Sequence, residues 1–288
     1  MKKSLVALAC LSAMACGATA AEVELYGTFD TYIAVNHQGG DVDTSMRSGG
    51  ASASFWGIKG SEELTPDMQV MFKLESAILV DQGTYSDAAG EDGMFSRESW
   101  IGLHHNKYGM LSFGRQYTPH FLTFAMTDPT DLSLGSSHSP YFFPCSTGVN
   151  GEANDSLVRH NNSVLYVSPV MAGFTVFAYA ALGEETNNDG SPSSDDGNVY
   201  NLAVNYANGP LFVMASVLRQ DISGNTTGGS VTNMGYALDG TSGDTRDFGA
   251  PREGTAWYYN IGATYDFGVT KLSALFMYRD GEDTVQIP

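Results

Sequence analysis

The sequence predicts an all-β protein, a transmembrane antiparallel β-barrel. Three observations lead there. Apolar residues recur at every second position through a series of short segments. Those segments are joined alternately by tight turns and by long, acidic, glycine-rich loops. Beyond the first twenty residues no window approaches the roughly 18 consecutive apolar residues of a spanning helix. Strands with one oily and one polar face, short turns at one end and long loops at the other, are the pattern of a barrel in a bilayer.

The elements follow in order. Lys2 and Lys3, the apolar run Ser4 to Cys16, and the small residues Ala18-Thr19-Ala20 predict a secretory signal over residues 1–20. The barrel then occupies 21–288. Val23, Leu25, Phe29, Ile33 and Val35 share one parity, and Glu24, Tyr26, Thr28, Asp30 and Tyr32 the other. That alternation predicts a single strand over Val23–Val35. Asn36–Ser52 is rich in Gly, Asp and Ser and reads as loop. Ala53–Gly60 and Gln69–Ala77 are strands around a turn holding Pro66, and Asp81–Gly93 is an acidic loop.

The segment FSRESWIGLHHNKYGMLSFGRQYTP, from Phe95, reads as a hairpin. Its strands are about Ser96–Leu103 and Met110–Gln116, with Asn106, Lys107 and Gly109 in the turn. Pro119 stops ladder pairing because it lacks an N–H. Thr118 to Asp155 is too long for an ordinary connection, and loops of that length are usually functional or disordered. Arg159–Ser168, Phe174–Leu182, Val199–Tyr206, Leu211–Gln220, Thr255–Phe267 and Thr270–Arg279 complete eleven strands. No helical period competes anywhere. Trp56, Trp100, Trp257, Tyr258 and Tyr259 lie near strand ends, as an interfacial aromatic girdle requires. A secreted β-sandwich is the competing reading, since its strands alternate too.

The charge balance excludes one class of partner. The chain has 14 Lys and Arg against 32 Asp and Glu, a formal charge of −18. Without Lys2 and Lys3 that becomes −20. Nucleic acid is not expected, because phosphate contacts need a basic face. Cys10 and Cys16 leave with the signal, so Cys145 is alone in the mature chain and forms no intramolecular disulfide.

Several motifs together resemble the general-diffusion porins of Gram-negative outer membranes. They are Leu25-Tyr26-Gly27, Trp56-Gly57-Ile58-Lys59-Gly60-Ser61-Glu62-Glu63-Leu64, Trp100-Ile101-Gly102-Leu103 and Phe113-Gly114-Arg115-Gln116-Tyr117-Thr118-Pro119. Arg159 with Asn162-Ser163, Tyr166-Val167-Ser168-Pro169 and Tyr265-Asp266-Phe267-Gly268 extend the likeness over the mature chain. The resemblance implies a 16-stranded barrel, usually a homotrimer, with a water-filled pore in each subunit. It implies a loop, here about 118–155, folded into the lumen opposite basic wall residues. By that likeness Arg115 and Arg159 belong to the basic side, with Lys59 and Lys73 nearby, and strand parity adds Arg97. The acidic side is expected from Asp128, Asp131, Glu152 and Asp155, with Glu75 on the same parity as Lys73.

Strand parity turns Lys59, Lys73 and Arg159 inward, since Lys or Arg on the lipid face costs about 2–4 kcal/mol at mid-bilayer. Arg115 shares parity with Leu111 and Phe113, so an inward Arg115 requires a bulge at Gly114. Phe55 and Thr28 stand where such porins often carry basic residues, which predicts a cation-leaning pore. The chain stops at Gln286-Ile287-Pro288 without a closing aromatic strand, and an odd strand number sets first and last strands parallel. The expectation is a fragment or truncated product lacking about five strands.

Other chemistry is not indicated. There is no G-x-S-x-G elbow and no H-E-x-x-H spacing, so neither an enzyme nor a metal centre is expected, and no cofactor. The expected partners are small hydrophilic solutes and ions, outer-membrane lipid and lipopolysaccharide. A sugar-type specific channel, or an adhesin with a plugged barrel, remains an alternative.

Overall fold

The computed structural model describes residues 22–38, 41–85, 93–129, 132, 157–183, 198–222, 230–232, 245–247 and 254–281. The strands are β1 (Glu22–Thr28), β2 (Thr31–Gln38), β3 (Asp41–Ser48), β4 (Phe55–Thr65), β5 (Met68–Ala77), β6 (Glu98–His105) and β7 (Gly109–Tyr117). A helix, α1 (Pro119–Thr127), follows. Then come β8 (Arg159–Val167), β9 (Phe174–Ala181), β10 (Val199–Asn208), β11 (Leu211–Ile222), β12 (Ser230–Thr232), β13 (Thr245–Asp247), β14 (Gly254–Asp266) and β15 (Lys271–Gly281).

Eleven of these strands form one sheet, ordered β1-β4-β5-β6-β7-β8-β9-β10-β11-β14-β15, and every pairing is antiparallel. They are the eleven expected from periodicity. The class is all-β, with β1 and β15 at the two edges. Tight turns such as 105–109 and 208–211 join strands at one end. At the first of these a Cβ on Gly109, at φ +88, would sit 2.1 Å from the Val167 carbonyl oxygen, so only glycine fits.

Four expectations need correction. Val23–Val35 is two strands, because the chain breaks at Phe29-Asp30. The Asp30 carboxylate accepts the N–H groups of Ala51 and Ser52 at 2.7 Å, and its carbonyl accepts that of Gly49 at 2.9 Å. These bonds end the β1 ladder while parity runs on unbroken. Secondly, Asn36–Ser52 is not all loop, since β3 pairs with β2 in a separate hairpin. Thirdly, the segment after Thr118 begins with a helix. Thr118 is its N-cap, accepting the Phe121 N–H at 3.0 Å, and Pro119 opens the first turn, where no N–H is needed. Finally, Trp100 and Tyr258 do not join a girdle. Trp100 donates to Glu98 at 3.0 Å, and Tyr258 packs edge-on against His120.

The register shows which groups share a face, because residues directly opposite in a ladder point the same way. One row runs from Lys73 through Trp100, Gly114, Ser163 and Ala181 to Val199. Asn201 lies two residues beyond Val199 on the same face, and Ser216 and Asn260 join through the next ladders. The charged residues of β4 and β5 and the partners of α1 therefore line one surface. The opposite surface carries Ile101, Phe113, Val164, Leu202, Ile261 and Phe276, all exposed. So continuous an apolar surface is foreign to a soluble monomer and fits hydrocarbon.

The inner face is not uniformly polar, as simple alternation implied. Phe124 of α1 sits in an apolar cluster with Leu157, Val158, Leu165, Tyr179, Val199 and Leu218. The helix covers inward oily side chains that water would otherwise meet.

Candidate functional site

Two arrangements occupy the inner face. The first is a charge network on β4 to β8. Glu75, only 3% exposed, accepts from Arg97 Nε at 2.5 Å and Tyr26 OH at 2.8 Å, with Lys73 Nζ at 3.2 Å. Glu98 stands directly opposite Glu75 in the β5–β6 ladder. Like charges so placed repel. Lys73 prevents this by bonding both carboxylates.

Arg97 also donates to Tyr117 OH at 2.9 Å, and the Arg159 guanidinium lies over the Tyr117 ring at 5.0 Å. Lys59 pairs with Glu24 at 3.1 Å in a half-exposed bridge. Arg115 donates to the Ser96 carbonyl at 2.5 Å and to Asn161 Oδ1 at 2.9 Å. It sits in a β-bulge, where the β7–β8 register shifts beside Gly114 at φ +126.

The second arrangement holds α1 against β10, β11 and β14. The His120 N–H donates to Asn201 Oδ1 at 2.6 Å, and Asn260 Nδ2 donates to the His120 carbonyl at 2.9 Å. Burial pulls the His120 imidazole down to about 4, so it is neutral at ordinary pH. Its Nδ1 lies 3.3 Å from Ser216 Oγ. Tyr117 joins the two arrangements, stacking on Phe121 with ring centroids 5.0 Å apart.

Among the expected acidic residues, Glu75 lies within the basic cluster. Asp128 is buried at the end of α1, where its carboxylate accepts the Leu132 N–H at 2.9 Å. Asp131, Glu152 and Asp155 lie outside the described residues, as does Cys145. Reading by parity passed over Glu98, although Glu98 and Trp100 share a parity. It also passed over Tyr26, Tyr117, Asn201 and Asn260. Nothing local marks the asparagines, whose partner is more than eighty residues away in one case and 140 in the other.

An antiparallel sheet with an apolar outer face, and an inner face bearing charges and an internal helix, defines a membrane-spanning β-barrel protein of the channel type. Among the described residues no helix is long and apolar enough to cross a membrane. The chain belongs to the Gram-negative porin family, whose model matches residues 6–286. It is 30% identical to an outer membrane porin protein of Bordetella pertussis and 31% identical to outer membrane porin protein 32 of Delftia acidovorans. Each match covers 96% of this chain and 69% of the relative.

Among solved structures, the anion-selective porin from Comamonas acidovorans superposes with a TM-score of 0.68 at 23% identity, over 91% of this chain and 68% of that one. OmpT, an outer membrane protein of Vibrio cholerae, gives 0.55 at 17% identity, over 92% and 66%. The protein is thus an outer-membrane porin, and its relatives are channels rather than enzymes.

Proposed function

We propose that the protein forms a water-filled channel through which ions and small hydrophilic solutes diffuse passively. In this reading residues 1–20 direct export. The 118–155 segment narrows the lumen, and the chain works as a homotrimer among lipid and lipopolysaccharide. The constriction lies between α1 and the wall of Lys59, Lys73, Arg97, Arg115 and Arg159. Asp128, Asp131, Glu152 and Asp155 supply the acidic side.

The observation that carries the reading is the inner face itself. It bears ion pairs, from the half-exposed Lys59–Glu24 bridge to Lys73 and Arg97 closed on Glu75, back to back with an apolar surface. The channel leans toward cations. Glu75 and Glu98 neutralise Lys73 and Arg97, and the whole chain carries −18. The porin from Comamonas acidovorans is anion-selective, so the two pores differ on this reading.

Planar-bilayer recording tests both points. Ohmic single-channel steps are expected, and a membrane-inserted protein without conductance would be a plugged adhesin instead. In a salt gradient the reversal potential should have the sign of potassium preference, and clear chloride preference overturns the cation assignment. Current that saturates with and is blocked by one sugar would make it a specific channel.

A further inference from the structure

We infer that Gly262, Asn201 and Asn260 are positioning residues that hold α1 against the β10–β14 wall and so set the width of the channel. The inference rests on the channel reading above. Asn201 and Asn260 grip one peptide segment from two sides. His120 stands in the first helical turn, where N–H groups lack intrahelical acceptors, and Asn201 Oδ1 fills that need at 2.6 Å. Asn260 reaches the carbonyl of the same residue at 2.9 Å. Asn201 is itself aimed, because its Nδ2 donates to Ser216 Oγ at 2.9 Å and to the Val217 carbonyl at 2.7 Å.

The far end of the helix is set by absence of bulk. Thr127 comes seven residues after His120, about 10 Å along the axis. There Thr127 lies against Gly262, two residues beyond Asn260 on the same strand and face. A Cβ on Gly262 would fall 2.4 Å from Thr127 Oγ1, 2.6 Å from its Cγ2 and 2.8 Å from its Cβ. No side chain enters that space without moving the helix end or turning Thr127. The Thr127 hydroxyl bonds the carbonyls of Thr123 and Phe124 within its own helix, which resists turning. The strand thus accepts α1 at close range only because residue 262 is glycine. Displacement that relieves the crowding carries the helix end away from β14, toward what the channel reading makes the lumen.

Single-channel recording of Gly262→Ala in planar bilayers tests this. Conductance follows open cross-section, so a helix displaced by a methyl group's width should lower it measurably below the parent value. The cut-off for neutral polymers should fall with it. Adding Thr127→Gly, which removes all three crowded atoms, should return conductance toward the parent value. A Gly262→Ala channel with parental conductance and cut-off overturns the inference while leaving the channel reading intact. A parent without conductance sinks the channel reading itself. Should Gly262→Ala fail to insert, the Asn201→Ala/Asn260→Ala variant decides, since it adds no bulk. Flicker and closure at lower voltage are expected of it, and a parental trace overturns the inference.

Discussion

The β4–β8 wall and the wall of β9, β10, β11, β14 and β15 are built on one continuous ladder and line one face, yet they use opposite chemistry. The first is charged and satisfied within itself, as Lys73, Arg97, Glu75 and Glu98 answer one another. The second holds a guest through uncharged groups, with Asn201, Asn260 and Ser216 grouped around the His120 residue of α1. Solvation accounts for the difference. Lys73 touches water at its edge while Glu75 and Glu98 are buried, so these charges are held by one another rather than by solvent. A buried helix terminus needs partners that lose little on leaving water, and amides cost far less to bury than charges.

Breaking the comparison at its centre gives the largest expected effect. Lys73→Met strips the shared cation from two opposed carboxylates and should cost about 3–5 kcal/mol, read from denaturant midpoints. Adding Glu98→Gln should recover much of the loss. If Lys73→Met alone is neutral, the charged wall does not depend on mutual pairing. Phe124→Ala should cost roughly 3 kcal/mol of α1 docking, exposing residues 118–129 to protease while strand content by circular dichroism stays constant. Equal loss of strand content would show that the two walls are not separable.

Acid should loosen the seat of α1. His120 is held below its ordinary value of 6.5, so its contribution is complete above that pH. Docking weakens as pH falls from 6.5 toward about 4, because the released imidazole takes a proton that the buried one refuses. Ser216 and Tyr258 are among the groups around it, the latter bonded by Arg279 at 3.3 Å. Protease sensitivity of 118–129 should therefore rise across that window and lose its pH dependence in His120→Gln. Thr118→Ala removes the cap and should cost about 1 kcal/mol in the same assay. Lys59→Gln is the smallest change. Its pair with Glu24 is half exposed, and less than about 1 kcal/mol is expected in the midpoint.

Much of the charged wall was legible because a strand's faces alternate locally. Lys73 and Glu75 share a parity opposite Phe72 and Leu74, which is enough to turn them inward. The bulge at Gly114 was legible too, from the conflict between Arg115 and its oily neighbours. Where the local signal was present but answered a different question, the reading went astray. Thr118-Pro119 marks a helix start as well as a strand end, and Asp30 interrupts an alternation whose parity never changes. Trp100 has the composition of a girdle residue but the parity of an inward one.

Periodicity, turn residues and charge by themselves determined the all-β class, the eleven ladder strands and the shared face of Lys73 and Glu75. Those are local properties, since side-chain direction in a strand repeats every two residues whatever lies across the molecule. Only the tertiary structure decided that Lys73 serves two carboxylates, that oily side chains lie inside beneath α1, and that Gly262 receives Thr127. Each depends on groups far apart in the chain meeting within a few ångströms, and no pattern confined to one segment carries that distance.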